Sequence, residues 1–162
     1  MTVETFLKIK NILDMSRVDY KHLMHEHVST SEDAAKIRGT NLEDAAKAII
    51  LKAQSKDGTF MFIQAVIPAN LRIDLKKLKI ILDSKNVALA SPDEVLEQTG
   101  CTIGSVPPFA SLLFNIPMYM DESILNKDFI VFSAGTHNDS IQMKAQDYLV
   151  ILDPKVVEFK KE

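Results

Sequence analysis

The residue with the most chemistry to offer is Lys47, because of what surrounds it. In the stretch EDAAKAIILKA, Glu43–Ala53, it stands among Ala45, Ala46 and Ala48, just before the apolar run Ile49, Ile50 and Leu51. Its ammonium is a compact cation with three rotatable donors, suited to a phosphate or a carbonyl oxygen. A solvated lysine has no use for such cleared space, whereas one reaching into a pocket does. The plain alternative is an edge lysine that guards a strand against unwanted pairing.

Two loops come next. In CTIGSVPPF, Gly104 permits close backbone approach or a positive φ, while Pro107 and Pro108 stiffen the chain and remove two donors. Such a loop could present its carbonyls to a water or an amine, or be a plain turn. In SAGTHNDS, Ser133–Ser140, Gly135 is followed by His137 and Ser140, which suits either a pocket rim or a polar hairpin turn. His137 is the side chain type that titrates near neutral pH.

Other reactive types are sparse. His25 and His27 alternate on a predicted strand and would share a face, but a zinc site needs at least a third protein ligand. Cys101 is the single cysteine and has no activating base or cation near it in sequence, which reads as a buried structural thiol. Arg72, Lys76, Lys77 and Lys79 form the densest basic cluster. Such a cluster is usually the wet face of an amphipathic helix, and otherwise a small phosphate-contacting patch.

The elements that must position these residues follow from capping and periodicity. Thr2 can cap a first helix with Phe6, Ile9 and Leu13 on one face. Tyr20–His27 reads as a strand. Ser29 with Glu32 has capping-box spacing and opens a helix ending at Gly39. Asn41–Ala46 reads as a helical turn. Strands at Ala48–Gln54 and Thr59–Val66 flank a Lys56-Asp57-Gly58 turn and form a hairpin. Asp74 caps a helix with Leu75, Leu78 and Leu82 inward, Val87–Ala90 is a short strand, and Ser91-Pro92-Asp93-Glu94 starts a helix ending at Gly100. Strands follow near Met118–Met120, Phe129–Ser133 and Ser140–Lys144, then a short helix or strand to Leu152. Irregular alternation with a hairpin indicates α+β with a mixed sheet. The charged segment DPKVVEFKKE, residues 153–162, reads as a tail that frays behind a single domain spanning 1–152.

The bulk numbers agree with that picture. A chain of 162 residues fits one domain, and 46% hydrophobic with 25% charged residues is ordinary soluble composition. A net charge of −3 makes any nucleic-acid contact local, since grip along a duplex takes a basic excess. One cysteine suggests a reducing compartment, Glu4 interrupts any signal-peptide core, and the longest apolar tract, FASLLFNIPMYM, is broken by Asn115 and Pro117. These features predict a cytoplasmic protein with no membrane span.

Lys47 before an apolar strand, the Gly104-Ser105-Val106-Pro107-Pro108 loop followed by Phe109, and the segment Gly135 to Ile141 together resemble the YbaK / prolyl-tRNA synthetase-associated editing domain family, over nearly the whole chain. The resemblance implies an α+β fold around a mixed, barrel-like sheet. It implies hydrolysis, in trans, of the ester between a wrong amino acid and a tRNA 3′ end, without metal or other cofactor. Aminoacyl-tRNA would be the partner, with a tRNA synthetase as a second one. Lys47 would contact the terminal adenosine, its phosphate or the aminoacyl group. Gly104 and Pro108 would shape the loop that holds a water, completing a catalytic set with Lys47. Ser105, Val106, Phe109, Gly135, His137 and Ser140 would line the substrate, and Arg72, Lys76 and Lys79 would meet the tRNA. Relatives often carry glycine where Ser105 and Ala110 stand here, and an acidic residue near Ser140 when they clear cysteinyl-tRNA. A binding module on the same fold, without turnover, would keep Lys47 and the loop as well.

Overall fold

A computed structural model of the chain describes residues 2–162. Helix α1 (Thr2–Met15) leads to strand β1 (Tyr20–Met24), helix α2 (Ser31–Arg38) and a 3-10 turn at Leu42–Asp44. The hairpin β2 (Ala46–Gln54) and β3 (Phe60–Pro68) follows, then α3 (Leu75–Ile81), β4 (Asn86–Leu89), α4 (Pro92–Thr99) and the single turn α5 (Ala110–Leu113). The chain closes through β5 (Met118–Asp121), β6 (Phe129–Ser133), β7 (Asp139–Lys144), α6 (Ala145–Leu152) and β8 (Lys155–Val157). Strands β4-β2-β3-β5-β8 form a mixed sheet of five, and β1-β7-β6 an antiparallel sheet of three. The two meet through a parallel bridge between Ala45 and Val131. The expected mixed, barrel-like sheet is thus two sheets joined at one point.

The five-stranded sheet is covered on both faces, which explains why Ile50 and Leu51 are both buried although they point oppositely. Ala46 and Ile50 join Phe109, Phe132 and Tyr148 in one core; Leu51 and Ala53 join Leu78 of α3 and Phe159 in the other. In the first core the three aromatic rings lie 5.5 to 6.1 Å apart between centroids. Each such pair adds about 0.5–1.5 kcal/mol beyond area burial.

Capping chemistry sets most boundaries as expected: Asp74 accepts from Lys76 and Lys77 backbone N–H, and Ser91 with Glu94 makes a reciprocal box at α4. Three expectations are corrected. The cap of α2 is Thr30, whose hydroxyl accepts from Asp33 N–H at 3.1 Å, so the Ser29–Glu32 box does not form. β1 stops at Met24 rather than His27, because its partner β7 begins at Asp139, opposite Met24. β2 starts at Ala46 rather than Ala48, so Lys47 is inside the strand, opposite Ile67. The cap expected at Thr2 falls on a side chain outside the described residues.

The segment expected to fray is built into the sheet. β8 pairs in parallel with β5, Phe159 is fully buried, and the buried Asp121 carboxylate accepts from both Phe159 and Lys160 N–H. Lys77 donates to Glu158, Glu162 and the Lys160 carbonyl. A sequence of mixed charges hides two apolar anchors, Val157 and Phe159, that pack on the α3 side of the sheet.

Candidate functional site

The cleft lies where strand pairing runs out. β2 pairs with β4 only from Leu51 to Gln54, with one further bond from Ala90 N–H to Ile50 O. The N-terminal part of β2 therefore has an open edge. Backbone groups alternate along a strand, so the Ala48 N–H and C=O face the same way as those of Ile50, into that gap. Beyond the Ala45–Val131 joint the two sheets part, and a cleft of about 190 Å3 opens between β2 and the end of β6 at Ser133.

One wall is Ala45 through Ile49 with Ala69; the opposite wall is Arg38, Ala34 and Ser133; Val28–Ser31 and the loop residues Ile103, Gly104 and Val106 close the rest. All three alanines flanking Lys47 line the cleft, so the cleared space around that lysine is real. Lys47 is half-buried and makes no ion pair within 4 Å among the described residues. Burial pulls its ammonium below the ordinary lysine value, Glu32 pulls it back up, and Arg72 lowers it further.

Gly104 has φ +92°, and a Cβ there would sit 2.8 Å from the Ser29 carbonyl oxygen and 3.3 Å from the His137 ring. Both uses of glycine expected at this position, positive φ and close approach, occur together. His137 braces the contact from behind: Nδ1 donates to Val28 O at 2.9 Å, and Nε2 is bonded to the Thr102 hydroxyl at 2.6 Å. Gly135 N–H donates to Ser105 O at 2.9 Å, tying the late turn to the same loop.

The loop offers fewer carbonyls than its prolines suggest. Pro107 O accepts from the fully buried Gln64 and from Phe109 N–H, and Pro108 O accepts from the buried Tyr148 hydroxyl at 2.6 Å. Thr102 O and Ser105 O are engaged as well. Among the described residues, the carbonyls of Ile103, Gly104 and Val106 remain for a ligand. Pro108 is therefore a buried anchor of the loop and does not aim an oxygen into the cleft. Phe109 does not line the cleft either, because it packs on Phe132 and Tyr148. Ser105, Gly135, His137 and Ser140 stand one layer behind the wall.

Sequence reasoning did not single out Arg38, the last residue of α2. Its Nε donates to Ser140 Oγ at 2.8 Å and its Nη2 to Ser133 Oγ at 3.3 Å. Burial lowers its pKa to about 10, and no carboxylate pairs with it among the described residues. In sequence it reads as a favourable charge at a helix C-terminus. Its partners lie 95 and 102 positions away, beyond any local signal.

The remaining candidates separate. Arg72, Lys76 and Lys79 are exposed, while Lys77 is drawn off by Glu158 and Glu162. His25 bonds to Ser140 at 2.7 Å, and His27 stacks on His137 at 4.5 Å, so leaving the strand sends the two rings to different partners. Among the described residues no group of three potential metal-ligating side chains occurs. Cys101 is fully buried, and burial pushes its thiol up, away from the reactive thiolate. Among the described residues no histidine, cysteine, aspartate or glutamate lines the cleft. The lining offers backbone donors and acceptors and two cations, Lys47 and Arg38.

Comparison with known proteins points the same way. A family model described as an aminoacyl-tRNA editing domain matches residues 25–151. The chain is 33% identical over 158 residues to the multifunctional Ser/Thr-tRNA deacylase ProXp-y of Escherichia coli (strain K12), covering 97% of this chain and 93% of that protein. It is 28% identical over 113 residues to the proline–tRNA ligase of Thermosipho melanesiensis, covering 68% of this chain and 19% of the ligase. Among solved structures, the hypothetical protein APE2540 superposes with a TM-score of 0.83 at 22% identity, covering 95% of this chain and 99% of that one. At that identity the likeness speaks for the fold.

Proposed function

The chain belongs to the aminoacyl-tRNA editing domain family, and from that membership we propose that it hydrolyses mischarged aminoacyl-tRNA in trans, with seryl and threonyl esters as substrates. The observation that carries the reading is Lys47, a half-buried ammonium with no ion pair within 4 Å among the described residues, in a small cleft walled by alanines. The cleft, about 190 Å3 between alanine walls, takes an aminoacyl ester of small side chain and leaves the adenosine at the mouth. Lys47 binds there, to the terminal phosphate or to the oxygen on which charge develops. An aminoacyl ester is activated, so a held water and a cation near the developing oxyanion suffice. The carbonyls of Gly104, Ile103 and Val106 hold the water, and the Ala48 N–H on the open strand edge supplies a second donor.

Gly104 shapes the loop, and Pro108 anchors it through Tyr148. Ser105, Val106, Phe109, Gly135, His137 and Ser140 keep the wall in place, Val106 from within the cleft and the others from behind it. Arg72, exposed yet close enough to act on Lys47, leads the tRNA toward the mouth, with Lys76 and Lys79 further out. A synthetase handing over charged tRNA is the second partner of this reading, and the cytoplasm its place. Among the described residues no helix is long and apolar enough to cross a membrane.

The test is single-turnover deacylation of a panel of mischarged tRNAs, run beside Lys47→Ala. Release of serine and threonine that depends on Lys47 is expected. Binding of tRNA ends with no release from any member of the panel would leave a binding module instead.

A further inference from the structure

We propose that Arg38 reads the side chain of the aminoacyl group, donating to an acceptor on it and so favouring hydroxyl-bearing seryl and threonyl esters over alanyl ones. The inference rests on the deacylase reading above. A guanidinium has five N–H donors and no acceptor. Two donors are committed here, to Ser140 and Ser133. The remainder face no carboxylate among the described residues, although the group is largely withdrawn from water and forms part of the cleft wall. A desolvated cation with uncommitted donors is costly unless a ligand completes it.

Position decides which part of the ligand that is. Lys47 lines the cleft half-buried, with no side-chain hydrogen bond or ion pair to hold it among the described residues. Arg38 lines the cleft as well and is fixed by hydrogen bonds to Ser133 and to Ser140, which is fully buried, so it is the more deeply held of the two cations. The ligand is a chain end whose deepest portion is the amino acid, and the phosphates remain outside with Lys47. Around Arg38 the wall is Ala34 and Ser133, small groups that leave space for a small side chain. Alanine offers the guanidinium nothing there, whereas a serine or threonine oxygen accepts from it. Ser140 and Ser133 hold the planar group in one orientation, which makes the selection geometric as well as electrostatic.

The experiment measures binding and turnover separately. Calorimetry compares the 3′-seryl and 3′-alanyl amides of 3′-amino-3′-deoxyadenosine, which do not hydrolyse, on the parent and on Arg38→Met. Single-turnover assays compare seryl and alanyl esters on one tRNA. The parent is expected to prefer the seryl ligand in both, and Arg38→Met to lower the seryl-to-alanyl ratio by about 10- to 100-fold, the worth of a charge-assisted hydrogen bond. A parent without preference, an unchanged ratio in the variant, or an equal loss on both ligands overturns the assignment. If circular dichroism finds Arg38→Met unfolded, Arg38→Lys takes its place: part of the preference retained supports the proposal, and equal loss on both ligands overturns it. A seryl preference in binding without any turnover would uphold Arg38 and overturn the deacylase reading instead.

Discussion

Replacing Gly104 by alanine tests the cleft wall at its tightest point. The new Cβ would lie 2.8 Å from the Ser29 carbonyl oxygen, against 3.4 Å or more for ordinary contact, so a shift of about 0.6 Å is forced. The oxygen cannot simply turn away, because Val28 O is bonded to His137 and Thr30 caps α2 on either side of it. Alanine at φ +92° adds about 1–2 kcal/mol of backbone strain. Gly58 provides the control, since its φ of +93° is the same but nothing lies within 4 Å of its Cβ direction. Gly58→Ala therefore isolates the strain, and Gly104→Ala adds the collision. We expect Gly58→Ala to melt a few degrees below the parent with unchanged deacylation, at about 2–4 °C per kcal/mol for a chain of this size. Gly104→Ala should melt lower still and lose at least about tenfold in kcat/KM, because misplacement by about 1 Å is worth roughly a hundredfold. The assays are thermal unfolding by circular dichroism and single-turnover ester hydrolysis. A Gly104→Ala protein that melts with Gly58→Ala and deacylates within about threefold of the parent would refute the account of the wall.

Lys47→Ala should lower kcat/KM by one to two decades while thermal melting stays near the parent's, since no ion pair is broken and a charge-assisted hydrogen bond is worth about 1.5–3 kcal/mol; Lys47→Arg, with its larger planar head among alanines, should be poor as well. Asp121 is pushed up by burial, but hydrogen bonds from Ser123 and from Phe159 N–H bring it to a net value below the ordinary 3.8. The stability it contributes is therefore complete above about pH 4 and lost as pH falls through its lower folded value. Acid titration followed by circular dichroism should show a stability loss below pH 4 that Asp121→Asn, already destabilised at neutral pH, lacks. Charge reversal at Lys76 and Lys79 should weaken tRNA binding and flatten its salt dependence, while hydrolysis of saturating substrate is unchanged; an unaltered salt slope removes those lysines from the interface.

Short-range chemistry was what could be read without coordinates. The caps at Asp74 and Ser91, the hairpin and the cleared space at Lys47 all follow from neighbours within a few positions, whereas Gly104 shows its freedom locally but not the Ser29 carbonyl, 75 positions away, that makes use of it. The parts that escaped depend on partners far along the chain. Arg38 looks like a helix-end charge until Ser133 and Ser140 are brought to it. Pro108 suggests a presented carbonyl until Tyr148 arrives from 40 positions away to occupy it. The C-terminal segment looks like a solvated tail because Lys, Glu and Asp outnumber Val157 and Phe159, yet burial of one aromatic ring and the acceptors of Asp121 decide its place. Helical spacing favoured Ser29 over Thr30 as a cap by one residue, a choice that only the hydroxyl-to-Asp33 distance resolves.

The joint between Ala45 and Val131 has a consequence for the order in which the molecule is made. The wall carrying Lys47 belongs to a hairpin that is complete in sequence by Pro68, and its contacts are local. The wall carrying Arg38 waits for Ser133 and Ser140, and β1 has no strand partner until β7, more than a hundred residues later, has been synthesised. Contacts of such separation form late and slowly. A nascent chain therefore carries its lysine before it can own the Arg38 wall of the cleft. The cleft can be complete only once both its walls exist, and the last of the residues that fix Arg38 in it is Ser140.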